Sequence, residues 1–346
     1  ATYADESQYK RYLGHRVLAV DGSRVRLPNT EETKKEFGIL KFGNQDNVKG
    51  GHAFAMASVL YDVENKIALD SMLAPVHTSE KELAIAHFSH IKENDLIIFD
   101  RGYCSYELMS KILENKGDFV IRMHRKSFGQ AQRMFKDKTL QDEHYTINAS
   151  HELAKLKHEG LLDIQGEMKV RFVKVILKTG EVEILATSLL DKEKYPQTIF
   201  QEIYWKRWGV ETFYSKLKTR LEIENFTGKS AECAKQDFYS SIFLTGLESI
   251  LTEDIDKKLA NKTERKTADT PKHKQQVNKA VSFNIIKNRA FDILLEQESI
   301  ERIIPELEAL FLTSPTLYRP EKKTPRRKVK LRHLINFLKR KKKYVF

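Results

Sequence analysis

Apolar residues recur with a period of two along some stretches of this chain and with a period near 3.6 along others, which separates strands from helices. Arg16-Val-Leu-Ala-Val-Asp21 is an apolar run that meets an acid and a Gly22-Ser23 turn signal before Arg24-Val-Arg-Leu27 resumes it, so a strand is expected to end at Asp21. His52–Tyr61 and Lys66–Leu73 flank the turn-like Asp62-Val-Glu-Asn65 and read as a hairpin. Ser79-Glu-Lys-Glu82 has capping-box spacing ahead of Leu83, Ile85, Ala86 and Ile91, which places a helix start near Ser79. Leu96-Ile-Ile-Phe99 is wholly apolar, as in a strand buried on both faces, and it too ends in an acid, Asp100. A helix over Tyr106–Asn115 with Gly117 as its cap, and a strand over Phe119–Met123, follow.

Three strands in meander, then helix, strand, helix and strand, predict an α/β fold with a mixed sheet and helices against it. Residues 125–196 read as a mainly β insertion, with alternation over Glu167–Leu177 and a second β-rich run at Glu181–Thr187. Helical periodicity resumes at about Gln197, runs to about Leu221, and returns over Ala231–Leu251. Residues 261–276 turn polar and read as a linker, ahead of helices expected at Val277–Leu295 and Ser299–Phe311. The expected division is therefore 1–124, 125–196, 197–260 and 261–346, the last holding the linker, C-terminal helices and a basic tail.

Composition narrows the class. The 346 residues are 40% hydrophobic and 31% charged with only 15 Gly and 8 Pro, which excludes a disordered or collagen-like chain. No apolar run approaches the roughly 18 residues of a membrane span, and the first fifteen residues (ATYADESQYKRYLGH) hold no signal core, so a soluble, non-secreted protein without a membrane partner is expected. Cys104 and Cys233 are too few and too distant for a disulfide framework or a zinc cluster, which fits a reducing compartment. The first residue is Ala, so a fragment or a processed chain is expected. The net charge of +12 is carried by the tail: Lys322–Phe346 holds twelve Lys and Arg and no acid. Arg326, Arg327, Lys328 and Lys330 are accordingly candidate DNA contacts through phosphate, while Leu331, Leu334, Ile335 and Leu338 at helical spacing leave open that the tail packs on a partner.

Candidate chemistry rests on acids. Asp21 and Asp100 each end an apolar strand, a common ligand position at the edge of parallel sheets. The helix beginning near Gln197 carries Tyr204, Arg207, Glu211 and Lys218 at i, i+3, i+7 and i+14, which fall within an arc of roughly 60° at about 100° per residue. Ile203, Val210, Leu217 and Leu221 form a separate apolar stripe that would hold this helix against a core. Trp205 and Trp208 read as helix-packing residues, with base stacking as the alternative. His87, His90, His124, His144, His151 and His158 form no zinc motif and read as surface residues, and neither Cys104 nor Ser105 has a local base that would make it a nucleophile.

These residues together resemble the DDE transposases of bacterial insertion sequences, specifically the insertion sequence four family. Tyr204, Arg207, Glu211 and Lys218 match its Tyr-x2-Arg-x3-Glu-x6-Lys signature without a gap. Val20-Asp-Gly-Ser23 and Phe99-Asp-Arg-Gly-Tyr103 look like the surroundings of its two Asp, and Glu183-Ile-Leu-Ala-Thr-Ser-Leu-Leu190 like the end of its insertion. The similarity runs from about Val17 to Leu312, and the family differs in usually carrying a substantial DNA-binding region ahead of the first Asp, where this chain has twenty residues.

The resemblance implies an RNase H-like core interrupted by the β insertion and followed by a helical C-terminal region. It implies cutting and joining of element ends, with Asp21, Asp100 and Glu211 as catalytic residues holding two Mg²⁺ ions, Mn²⁺ substituting. Asp21 would bridge the two metals, with Asp100 and Glu211 each completing one site, and no other cofactor is expected. Tyr204, Arg207 and Lys218 would contact DNA without entering the metal shell. The implied partners are double-stranded DNA, both element ends and target, and a second copy of the chain when assembled on DNA, in a bacterial cytoplasm at the nucleoid. The rival readings are an inactive, transposase-derived DNA-binding protein and a metal nuclease of the same fold that does not join strands.

Overall fold

The computed structural model describes residues 9–41, 51–160, 163–164, 166–177, 180–264, 274–295 and 299–317. The chain divides into two compact units, 1–215 and 216–346. Arg326, Arg327, Lys328 and Lys330 and the Leu331–Leu338 pattern lie outside the described residues. Among those described, no helix is long and apolar enough to cross a membrane.

The first unit is built on a nine-stranded sheet. Strand β1 (Arg16–Arg26), helix α1 (Glu31–Phe37), the short β2 (Ile39–Leu40), β3 (His52–Asp62) and β4 (Ile67–Pro75) come first in the chain. Helix α2 (Glu80–Ala86), β5 (Asp95–Phe99), α3 (Tyr106–Glu114) and β6 (Asp118–Arg122) then complete the expected order. β1 pairs antiparallel with β3 and parallel with β5, and β5 pairs parallel with β6, while β4 flanks β3. An antiparallel meander continued by parallel strands entered through helices is the RNase H-like arrangement, and it is the mixed sheet expected from the strand and helix order.

Segment 125–196 contributes α4 (Gly129–Lys136), β7 (Asp142–Asn148), α5 (His151–His158), β8 (Glu167–Ile176) and β9 (Val182–Thr187). Its strands continue the sheet, since β9 pairs antiparallel with β6, β8 with β9, and β7 with β8. The parity of the strands sorts the core into two faces. Leu18, Val20, Ile97, Phe99, Phe119 and Ile121 pack with Ala84, Leu108, Met109, Ile112, Ala131 and Met134 of α2, α3 and α4. Val17, Leu96, Ile98 and Val120 pack on the opposite face with Phe200, Ile203 and Tyr204. β5 is buried on both faces because helices cover both, which is why its sequence shows no alternation.

Several local expectations change. β1 does not end at Asp21: it runs unbroken to Arg26, because β3 pairs with it over Leu18–Arg26 and carries Gly22 and Ser23 in the ladder opposite Ser58 and Ala57. The Ser79 hydroxyl makes no capping bond, and α2 gives way to a 3-10 turn at His87–His90 in place of continuing to Ile91. Asn115, not Gly117, closes α3; a Cβ at Gly117 would stand 2.8 Å from Ile91 Cγ2, so glycine is required there by close packing. His87 is no surface residue: it is fully buried, with Nδ1 2.7 Å from Asp70 Oδ2 and Nε2 3.0 Å from Ser58 Oγ. That chain has the order of a hydrolase triad, but Ser58 is itself buried, so it ties α2 to β3 and β4 and meets no substrate.

The second unit holds α8 (Ala231–Glu264), β10 (Gln275–Gln276), α9 (Lys279–Asn288), α10 (Ala290–Leu294), α11 (Ile300–Leu312) and β11 (Thr316–Leu317). Ile255, Leu259, Val277, Ile286, Ile303, Leu307 and Phe311 make its core, so the C-terminal region is helical as expected. Inside it Glu248 is buried and held by Lys279 at 2.9 Å and by the Ser282 hydroxyl at 2.7 Å.

Candidate active site

Sheet parity decides where the acids go. Asp21 lies two residues beyond Ala19, the last residue of β1 paired with β5, and shares the face of Val17 and Ala19. Asp100 follows Phe99 in extended conformation and so falls on the face of Leu96 and Ile98. Both carboxylates therefore stand at the carboxyl end of the parallel strand pair, on the face covered by the helix after β9. Asp21 is thus not at a strand end but at the end of a strand pairing, which only the sheet defines.

The expected single helix from Gln197 is broken. A 3-10 turn over Gln197–Ile199 leads into α6 (Phe200–Trp205), and after a turn at Lys206 and Arg207 comes α7 (Trp208–Thr219), whose last turn belongs to the second unit. The amides of Arg207, Gly209 and Val210 bond the carbonyls of Tyr204, Lys206 and Arg207, tightening the chain to three-residue steps. Gly209 permits this because a Cβ there would stand 3.1 Å from Val63 Cγ1. The break sends neighbouring side chains apart. Lys206 pairs with Glu64 at 2.6 Å and lies 4.0 Å from the centroid of the Tyr12 ring, whereas Arg207 turns inward and is only 5% exposed.

Around Arg207 the predicted residues meet. Its Nη1 lies 2.8 Å from Glu211 Oε1, and its guanidinium sits over the rings of Trp208 and Tyr204 at 4.9 and 5.6 Å. The Tyr204 hydroxyl donates to Asp100 Oδ1 at 3.0 Å, and burial drives the Tyr204 phenol well above its ordinary pKa, so it stays a donor. Asp21 accepts from the Gly22 amide at 2.9 Å. Burial pushes its pKa up to about 6; Arg207 and the Gly22 amide oppose that rise, while the negative charges of Glu211 and Glu80 add to it.

Tyr214 was not anticipated from sequence. Its fully buried hydroxyl bonds the Asp21 carbonyl at 3.0 Å with the Ala57 carbonyl at 3.2 Å, so α7 is tied to β1 at the acid itself, one turn beyond Glu211. Glu80, at the start of α2, was likewise missed; its Cγ would stand 3.0 Å from a Cβ on Gly22, and its charge is felt at Asp21. The only sequence signal for either was position, Tyr214 three residues after Glu211 and Glu80 in the first turn of a helix. Trp205 and Trp208 are 70% and 39% exposed, which corrects their reading as packing residues. Lys218 lies on the last turn of α7, where burial lowers its pKa and Glu224 opposes the shift. It belongs to the second unit.

The donor set is all oxygen, which suits a hard divalent cation. Asp21 is a carboxylate whose ionised form is disfavoured by burial and by two further acids, the condition that a cation relieves. Among the described residues, however, no three carboxylate, His or Cys side chains gather closely enough to enclose an ion. The residues fit the ion in chemistry and in placement on one face, without forming a closed cage.

The family model described as "Transposase DDE domain" matches residues 12–245. Transposase InsG for insertion sequence element IS4, from Escherichia coli (strain K12), is 22% identical over 245 residues, 69% of this chain and 52% of that protein. A protein named as transposase y4zB of Sinorhizobium fredii (strain NBRC 101917 / NGR234) is 22% identical over 191 residues, 55% of this chain and 51% of its own length. This chain thus spans about half the length of the curated relatives it matches. Among solved structures, a piggyBac transposase synaptic complex with hairpin DNA aligns over 90% of this chain and 60% of its own, with a TM-score of 0.45 and 10% identity.

Proposed function

We propose that this chain, which belongs to the transposase DDE domain family, cuts DNA phosphodiester bonds at the ends of an insertion sequence and joins the freed 3′ ends to target DNA. The observation that carries this reading is the placement of Asp21 and Asp100 at one end and one face of the parallel strands, with Glu211 on the helix that Tyr214 ties to Asp21.

In this reading Asp21, Asp100 and Glu211 hold divalent ions, Mg²⁺ or Mn²⁺ and two in number. Bound ions of this kind supply Lewis acidity that activates water, then a DNA 3′-hydroxyl, and that stabilises the leaving oxygen. The protein's own groups do the rest. Tyr204 fixes the Asp100 carboxylate by donating to Oδ1 and so sets which oxygen stays free. Arg207 pairs with Glu211 and its charge is felt at Asp21; its planar fork suits a phosphate, and it holds Glu211 in place meanwhile. Lys218 adds a point charge for the DNA backbone. Tyr214 and the Asp70–His87–Ser58 chain hold α7 and α2 to the sheet, so that the acids are presented on a rigid frame. The assembled form on DNA is a dimer, each copy acting at one element end.

The test is nicking of supercoiled plasmid and strand transfer of an oligonucleotide bearing a free 3′-hydroxyl, each with and without Mg²⁺. Asp21→Asn, Asp100→Asn and Glu211→Gln should each abolish metal-dependent cleavage and leave DNA binding nearly intact, because an amide keeps the shape and loses the charge. Cleavage near the wild-type rate in any of the three removes that residue from the site, and cleavage without joining leaves a nuclease.

A further inference from the structure

We propose that a cleft at the carboxyl ends of β5 and β6 is a phosphate-binding groove that holds the backbone of a DNA strand passing Asp100. The proposal deepens the reading above and rests on it for the identity of the polymer.

The cleft has a volume of about 260 Å³ and is lined by Arg101, Arg122, His124, Arg125 and Lys126, with Phe135, Glu181 just before β9 and Glu183 on it. Its position follows from topology. β5 and β6 run parallel, so Arg101 beyond β5 and the basic run beyond β6 emerge on the same side of the sheet. That is the side on which Asp100 stands, and Arg122 Nη1 lies 3.8 Å from Asp100 Oδ1.

The charges divide unequally. Arg122 takes both acids, with Glu183 at 2.9 Å and Glu181 at 3.8 Å. Arg101, Arg125 and Lys126 have no carboxylate partner among the described residues, although this unit pairs Arg16, Arg171, Arg207 and Lys206 with acids. Arg125 is held for use: its guanidinium lies 5.7 Å from the centroid of the Phe135 ring, which limits the side-chain freedom lost on binding.

The ligand class follows from size and lining. Pockets for whole drug-sized molecules usually measure roughly 300–1,000 Å³, so a 260 Å³ cleft open to solvent suits one segment of a longer ligand. No Asn, Gln, Ser or Thr lines it, so it offers nothing bidentate for an adenine edge. Guanidinium and ammonium groups gathered in one cleft select a polyanion by charge and suit its phosphates. The groove would therefore set the register of the strand relative to Asp100.

The experiment uses the full chain carrying Asp21→Asn, so that no cleavage intervenes, and follows binding of a fluorescent duplex of random sequence by anisotropy from about 50 to 200 mM salt. Replacing Arg101, Arg125 and Lys126 together by Ala should lower the slope of log K against log salt by about 2.7, that is three contacts at about 0.9 each. Comparison with the parent cancels whatever the basic tail contributes. Replacing Arg101 and Arg125 by Lys should keep the slope, and the melting temperature should not change in either variant. An unchanged slope in the triple variant overturns the groove. Inorganic phosphate at constant ionic strength should not displace the duplex; full displacement at millimolar levels would make the cleft a free-anion site and overturn the proposal. Failure of the wider reading looks different: a chain whose binding depends on these three residues but which never nicks DNA with Mg²⁺ would keep the groove and lose the transposase chemistry.

Discussion

Arg171 and Arg207 are both buried in the same compact unit and both face an acid, yet they use their donors differently. Arg171 is fully enclosed and saturated: Nε and Nη2 grip Asp142 at 2.7 and 2.6 Å, Nη1 bonds the carbonyls of Tyr195 and Leu189 at 2.8 and 3.2 Å, and the guanidinium lies over Phe200. Arg207 is 5% exposed and pairs with Glu211 through Nη1, but its buried Nε has no hydrogen-bond partner among the described residues. A buried donor left without a partner costs about 1–3 kcal/mol. Arg207 keeps that cost beside three acids, which suits the phosphate-contacting role proposed for it, whereas Arg171 closes the end of the sheet where β8 meets the chain entering α6.

Breaking the saturated site should have the largest effect. Arg171→Ala leaves the Asp142 carboxylate beside the β7–β8 ladder with only Lys192 among the described residues, 3.6 Å away and partly exposed, and removing one partner of a buried pair costs about 3–5 kcal/mol. A large fall in the denaturation midpoint by circular dichroism is expected, and a midpoint near wild type would show that Arg171 is not structural. Arg207→Ala should do the reverse: strand transfer falls on the order of a hundredfold, about 2.7 kcal/mol of barrier, while stability changes little because Glu211 is a third exposed and its pair is screened. If the midpoint drops as far as in Arg171→Ala, the contrast fails.

Tyr204→Phe sharpens the comparison at the site. It removes one hydrogen bond to Asp100, worth about 1 kcal/mol, and keeps the ring that packs beside Arg207. The expected outcome is a several-fold slower cleavage with unchanged DNA affinity, read in parallel nicking and binding assays; an unchanged rate would make the bond ornamental.

The smallest effect concerns His15, whose Nε2 shares a 2.8 Å hydrogen bond with the hydroxyl of Tyr195, the residue whose carbonyl also serves Arg171. Burial holds the His15 pKa below 6.5, against the opposing charge of Asp118. The unfolded chain then binds the proton more readily, so this contribution is complete above pH 6.5 and is lost as pH falls through the lowered value. His15→Gln should flatten the stability profile just below that pH in chemical denaturation series, and an identical profile would remove His15 from the network.

Much of the site could be read along the chain because its parts are local. The spacing of Tyr204, Arg207 and Glu211, the apolar run into Asp100 and the hairpin of β3 and β4 each depend on neighbours within a few residues. What failed was local reading of non-local pairing. Gly22-Ser23 has turn composition, but pairing with β3 holds it extended; Lys206-Arg207 lies in helical periodicity, but the chain tightens to three-residue steps there, beside a Gly209 that lies too close to Val63 for a Cβ. His87 carries no sequence mark of burial, since its partners Ser58 and Asp70 lie on two other elements.

The sequence by itself determined the residue types that can do chemistry, their spacing within each element, and the family to which they point. The tertiary structure decided which of them meet: strand parity sets the face on which Asp21 and Asp100 stand, Tyr214 brings α7 to β1, and the parallel pairing of β5 and β6 gathers Arg101, Arg122, Arg125 and Lys126 about one cleft, with Arg122 reaching Asp100. The physical reason is that periodicity fixes the orientation of side chains about their own strand or helix, while register and crossover, set by burial summed over the whole sheet, fix the distances between elements.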